Sequence, residues 1–87
     1  MPPDWMTSMQ MPDFAQMTGT ECFSWLQSNC IVAEFVDHVK HGMVLLLHFI
    51  DFDGMYRRVK RTLTGEKTLS KACEQVFIWQ NKGGYAI

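Results

Sequence analysis

Long apolar runs are missing from this chain: the longest is the five residues from Met43 to Leu47. A membrane-spanning helix needs about 20, so none is expected. The opening MPPDWMTSM carries no basic stretch followed by an apolar one, so no secretory signal is read there and a cytoplasmic setting is the expectation. Cysteine is scarce and odd in number, with Cys22, Cys30 and Cys73 only. That excludes a disulfide-stapled scaffold and leaves reduced, mostly buried thiols. Proline is absent after Pro12, so nothing later in the chain bars regular structure on that account. No serine, cysteine or threonine is accompanied by a recognisable base and orienting partner, and an enzyme is therefore not expected.

Eighty-seven residues, 47% of them apolar and 20% charged, are enough for one small domain and too few for two. The net charge of -1 conceals a separation of signs. Up to Tyr56 seven acids stand against Lys40 alone, a balance of -6; from Arg57 onward seven bases stand against Glu66 and Glu74, a balance of +5. Such a chain either presents a charged surface to a partner or brings its two halves together.

Residues 1–19 hold all three prolines and five of the seven methionines, with no lysine or arginine. They read as a flexible arm, with Trp5 and Phe14 as apolar anchors, ahead of a globular domain over residues 20–87. Thr20 is a candidate N-cap for a helix over residues 20–28. Ile31, Val32, Phe35, Val36 and Val39 fall on one side of a second helix over residues 31–41, with Gly42 as its C-cap, although the β-branched content also admits a strand. Met43 to Phe52, the Asp53-Gly54 dipeptide and residues 55–63 read as a hairpin with a two-residue turn. A third helix starts at Thr68 and stops by Gly84, and Tyr85 to Ile87 make one short strand. The expected fold class is α+β: two N-terminal helices, an antiparallel hairpin, a third helix and a C-terminal strand.

Two family resemblances accompany this reading. Trp25 with Leu26, Glu34 with Phe35, Gly42 before Leu45 and Leu46, and GEKTLSKACEQV from Gly65 to Val76 resemble the hydrophobic skeleton of a sterile-alpha-motif domain. That resemblance implies an all-α interaction module as the alternative fold. From Phe49 to Trp79 the turn DFDG, the basic RRVKR and the following helix are similar to the sheet-plus-helix modules of phage integrase arms. That likeness implies a small sheet laid in the DNA major groove, and in size and style the chain resembles small phage accessory proteins.

Several short patterns touch chemistry without completing it. Glu34, His38 and His41 would share one stripe of a helix, but no fourth zinc ligand accompanies them, and no metal or cofactor is expected. Asp51 and Asp53 lack the rest of a calcium loop, and TGEKT lacks the upstream glycine of a phosphate-binding loop. The strongest local feature is Arg57, Arg58, Lys60 and Arg61, flanked by Tyr56 and extended by Lys67 and Lys71. On a strand, Arg58 and Lys60 would point one way and Arg57 and Arg61 the other. The function expected is that of a small non-enzymatic regulator or inhibitor that binds a protein partner through these residues with Trp5 and Phe14. Nucleic-acid binding by the basic hairpin 55–63 is the alternative.

Overall fold

A computed structural model of the chain describes residues 11–65 and 67–82. After a 3-10 turn at Phe14–Gln16 come helix α1 (Gly19–Asn29), strands β1 (Val32–His38), β2 (Gly42–Ile50) and β3 (Tyr56–Thr62), and helix α2 (Thr68–Lys82). The strands form an antiparallel meander in the order β1-β2-β3. The domain is thus α+β, but the order is helix, three strands, helix. It does not begin with two helices and a hairpin, and the sheet overturns the all-α alternative. The expected strand at Tyr85 to Ile87 lies outside the described residues, as does Trp5.

The N-cap of α1 is Thr18, two residues earlier than expected. Thr18 Oγ1 accepts the Glu21 N–H at 3.1 Å, and Glu21 Oε1 accepts the Thr18 N–H at 2.9 Å. This reciprocal pair satisfies two donors that the first helical turn leaves open. α1 turns Cys22 and Leu26 fully into the interior.

Residues 32–38 form a strand where a helix was expected. The spacing of residues 31, 32, 35, 36 and 39 is that of a helix face, and on a strand it puts apolar side chains on both sides. Val32 and Val36 fit a pleated surface better than a helix because their χ1 freedom is restricted. The strand also supplies β2 with its second neighbour. Gly42, expected as a helix cap, instead has φ +71° where the β1–β2 turn enters β2. A Cβ is disfavoured in that conformation.

The β2–β3 hairpin forms where the apolar run and the Asp53-Gly54 dipeptide place it, but its turn is longer by one residue than the dipeptide rule suggests. Asp51 N–H bonds Met55 O at 2.9 Å, and Phe52, Asp53 and Gly54 make the loop, with Gly54 at φ +80°. Three-residue hairpin loops place their left-handed residue there. The Asp51 carboxylate closes the loop by accepting the N–H groups of Asp53 and Met55, both at 2.9 Å.

Successive side chains of β2 go to opposite faces of the sheet. Leu45, Leu47 and Phe49, each fully buried, meet Leu26 of α1, Ala72, Cys73 and Val76 of α2, and Phe14. Both helices therefore cover one face, and the other is left without a layer among the described residues.

Candidate docking face

The register fixes what stands on the uncovered face. Val32, His48 and Arg58 form one row across the three strands, Glu34, Leu46 and Lys60 the next, and Val36, Val44 and Thr62 a third. Ile50 and Tyr56 pair at the end nearest the β2–β3 turn. Val36 is 40% exposed, Ile50 44% and Tyr56 52%. The middle of the face is aliphatic and its β3 margin is cationic. Glu34 on β1 is the acid placed within these rows.

The four clustered cations divide as strand alternation demands. Arg57 and Arg61 point to the helix side. Arg57 Nε lies 2.6 Å from Asp51 Oδ2, its guanidinium carbon is 4.5 Å from the centre of the Trp79 ring, and Arg61 Nε donates to Gln75 Oε1 at 2.9 Å. Burial raises the Asp51 pKa, but the Arg57 bond and charge and the two backbone N–H groups outweigh it, so the carboxyl sits below its ordinary value. Arg58 and Lys60 point to the open face and, among the described residues, have no hydrogen-bond or ion-pair partner. Lys67 and Lys71 lie beyond the end of β3, where Lys71 makes a loose 3.8 Å pair with Glu74 on its own helix. Of the described ion pairs, only Asp51–Arg57 joins the acidic half of the chain to the basic half, and it does so across one turn.

His48 sits beside Arg58 in the sheet and is tied to Tyr56, with Nδ1 2.6 Å from the phenol oxygen and the rings edge to face at 5.5 Å. Leu46, His48, Arg58 and Lys60 line a shallow depression in this face. An apolar floor with nitrogen groups along one side suits a carboxylate-bearing apolar surface.

Phe14 is 1% exposed and packs edge to face on Trp25 at 4.8 Å and on Phe77 at 6.5 Å. Its surface is used within the fold, so the residues from Phe14 onward belong to the packed domain and not to an arm. Glu34 and His38 share the open face, and His38 meets His41 with ring centres 4.8 Å apart. Among the described residues no three metal-ligating side chains converge. The thiols are held within the fold. Cys22 Sγ lies 3.7 Å from Phe14 O and Cys73 Sγ 3.3 Å from Cys22 O, and burial pushes the Cys30 pKa up to about 11. No described helix is long and apolar enough to cross a membrane.

Of the residues on this open face, the sequence pointed to Tyr56, Arg58 and Lys60 and not to Val32, Val36, Leu46, His48 or Ile50. No hydrophobic alternation in β1 or β2 marks them; strand geometry places them beside the cations only once residues 32–38 are read as a strand. Comparison with protein-family models, with curated proteins and with solved structures gives no match.

Proposed function

We propose that this domain is a non-enzymatic regulator or inhibitor that docks a protein partner on the open face of its sheet. The partner surface is apolar at its centre and acidic where it meets Arg58 and Lys60. The observation that carries this reading is the placement of exposed Val36, Ile50 and Tyr56 in one face with two cations that have no partner among the described residues. An apolar centre with Tyr and Arg beside it has the composition of a protein interface. The cations steer the encounter and select the partner more than they set its strength. A nucleic-acid groove would profit from all four cations of β3, whereas Arg57 and Arg61 are turned away and engaged.

The reading is tested by placing a photo-crosslinking residue at Val36 in the full chain, expressed in its native host. One dominant protein adduct is expected, and it should be lost in the double variant Arg58→Glu, Lys60→Glu. The proposal fails if no protein adduct forms. It fails equally if the purified chain binds DNA or RNA at low salt with a steep salt dependence that the same double variant abolishes, which would assign the face to nucleic acid.

A further inference from the structure

The two margins of the sheet are treated differently. β3 carries Arg57, Arg58, Lys60 and Arg61 along seven residues, the kind of charge that keeps a strand edge from pairing with another chain. β1, with the sequence VAEFVDH, has no lysine, arginine or proline, and its register with β2 runs without a bulge. Among the described residues nothing pairs with its outer edge.

The hydrogen-bond pattern says which groups that edge offers. Leu63 N–H bonds Met43 O and Asp51 N–H bonds Met55 O, so the odd-numbered residues of β2 direct their backbone groups to β3. The even-numbered ones, by alternation, face β1. In β1 the partners Val32, Glu34, Val36 and His38 therefore bond inward. Ala33, Phe35 and Asp37 direct their N–H and C=O groups outward. Phe35 is 41% exposed and stacks on Phe23 of α1 at 4.7 Å and 19°, an aromatic pair left half open at the margin.

We propose that this edge is a self-association surface. A second copy of the chain sets its own β1 antiparallel alongside, about a two-fold axis at Phe35, and the two sheets become one of six strands. This register opposes Phe35 to Phe35, Ala33 to Asp37, Glu34 to Val36 and Val32 to His38. All the outward backbone groups of both strands then bond one another, and no like charges stand opposite. An axis at Glu34 or at Asp37 would set two carboxylates face to face, which is destabilising. An axis at Val36 would oppose Ala33 to Val39, beyond the end of the strand. The contact is closed and self-complementary, and it leaves the two basic β3 strands as the outer margins. It also covers the open flank of each Phe23–Phe35 stack. The two open faces become continuous, so the dimer does not compete with docking there, and it stands or falls independently of that reading.

The test is sedimentation equilibrium of the full chain from about 1 μM to about 1 mM, with Asp37→Pro as the perturbation. The proline removes an outward N–H that β2 does not use, so the fold is expected to persist by circular dichroism. The dimer dissociation constant should rise at least about tenfold. Phe35→Cys is expected to give a disulfide-linked dimer under mild oxidation, since opposed residues of a bonded pair are about 5.5 Å apart at Cα, within disulfide reach. Asp37→Cys is not, because the two Asp37 positions lie about 13 Å apart along the strands. A chain that stays monomeric throughout, a dimer untouched by the proline, or crosslinking at residue 37 as readily as at residue 35 each overturns the proposal. Should the proline variant fail to fold, the two cysteine variants decide.

Discussion

The division of β2 between two faces is most directly tested at Leu45 and Leu46, neighbours in sequence with opposite fates. Leu45 is fully buried under the helices and Leu46 is half-buried on the open face. Truncating a core leucine to alanine removes its transfer free energy and leaves a cavity, together about 2.7–5 kcal/mol. Leu45 belongs in that range because it is packed within the core cluster between sheet and helices. Leu46 already meets solvent and can leave no closed cavity, so Leu46→Ala should cost about 1 kcal/mol or less. A domain of this size holds roughly 4–13 kcal/mol in all. At roughly 4–8 °C per kcal/mol, Leu45→Ala should lower Tm by about 11–40 °C and Leu46→Ala by about 8 °C at most. Urea unfolding followed by tryptophan fluorescence measures both, with equal m-values as the check that the unfolded states are comparable. Equal losses, or a larger loss at Leu46, would mean that the wrong face has been assigned as covered, and the docking proposal would go with it.

Three further outcomes follow from the same geometry. Asp51 has a lowered pKa in the folded state, so its contribution is complete above the ordinary aspartate value and is lost as pH falls through the folded one. Urea midpoints should therefore drop below about pH 4, and Asp51→Asn should flatten that limb; an unchanged acid limb would refute the part given to Asp51 in closing the loop and holding Arg57. Thr18→Ala removes one half of the capping box and should cost about 1 kcal/mol by thermal melting, whereas Thr20→Ala should cost little. With its pKa at about 11, Cys30 is only about one part in a thousand thiolate at pH 8. Iodoacetamide should leave the folded chain unmodified and label all three cysteines in urea; rapid labelling without denaturant would contradict the packing described.

What could be read in advance was what local chemistry decides. The α1 and α2 helices and the β2–β3 hairpin follow from apolar spacing, threonine near a helix start and glycine in a turn. Residues 32–38 were missed because the spacing of Ile31, Val32, Phe35, Val36 and Val39 is helical while their β-branched and aromatic side chains favour a strand, and propensity alone does not overrule spacing. The deciding fact is tertiary but leaves a trace. β2 is apolar at Val44 and Leu46 as well as at Leu45 and Leu47, and with β3 along one edge such an apolar strand still needs a second strand to pair the backbone groups of its other edge. Only the segment before it was free to supply the second. Phe14 was hidden by company: methionine and proline around it suggested an arm, while a single aromatic residue gives no periodic signal that it will seat between two helices and a sheet.

The separation of charge along the sequence has a simple spatial counterpart, and its size decides what it is for. β1 holds Glu34 and Asp37, β3 holds four cations, and uncharged β2 lies between them. Glu34 and Lys60 face each other across Leu46 at two strand spacings, roughly 9.5 Å. At that separation in water two unit charges attract by about 0.4 kcal/mol before screening, and the distance already exceeds the roughly 8 Å Debye length of physiological salt. Attraction between the β1 and β3 charges of the open face therefore does little to hold the fold, which rests on Leu45, Leu47 and Phe49 beneath the helices and on the close Asp51–Arg57 pair at the turn. The same distance that makes the charges weak partners for one another leaves them available outside. Under the docking and self-association proposals, the cations keep the β3 edge from pairing, the β1 edge is left for a second copy, and the open face has a margin to which an acidic partner would be drawn.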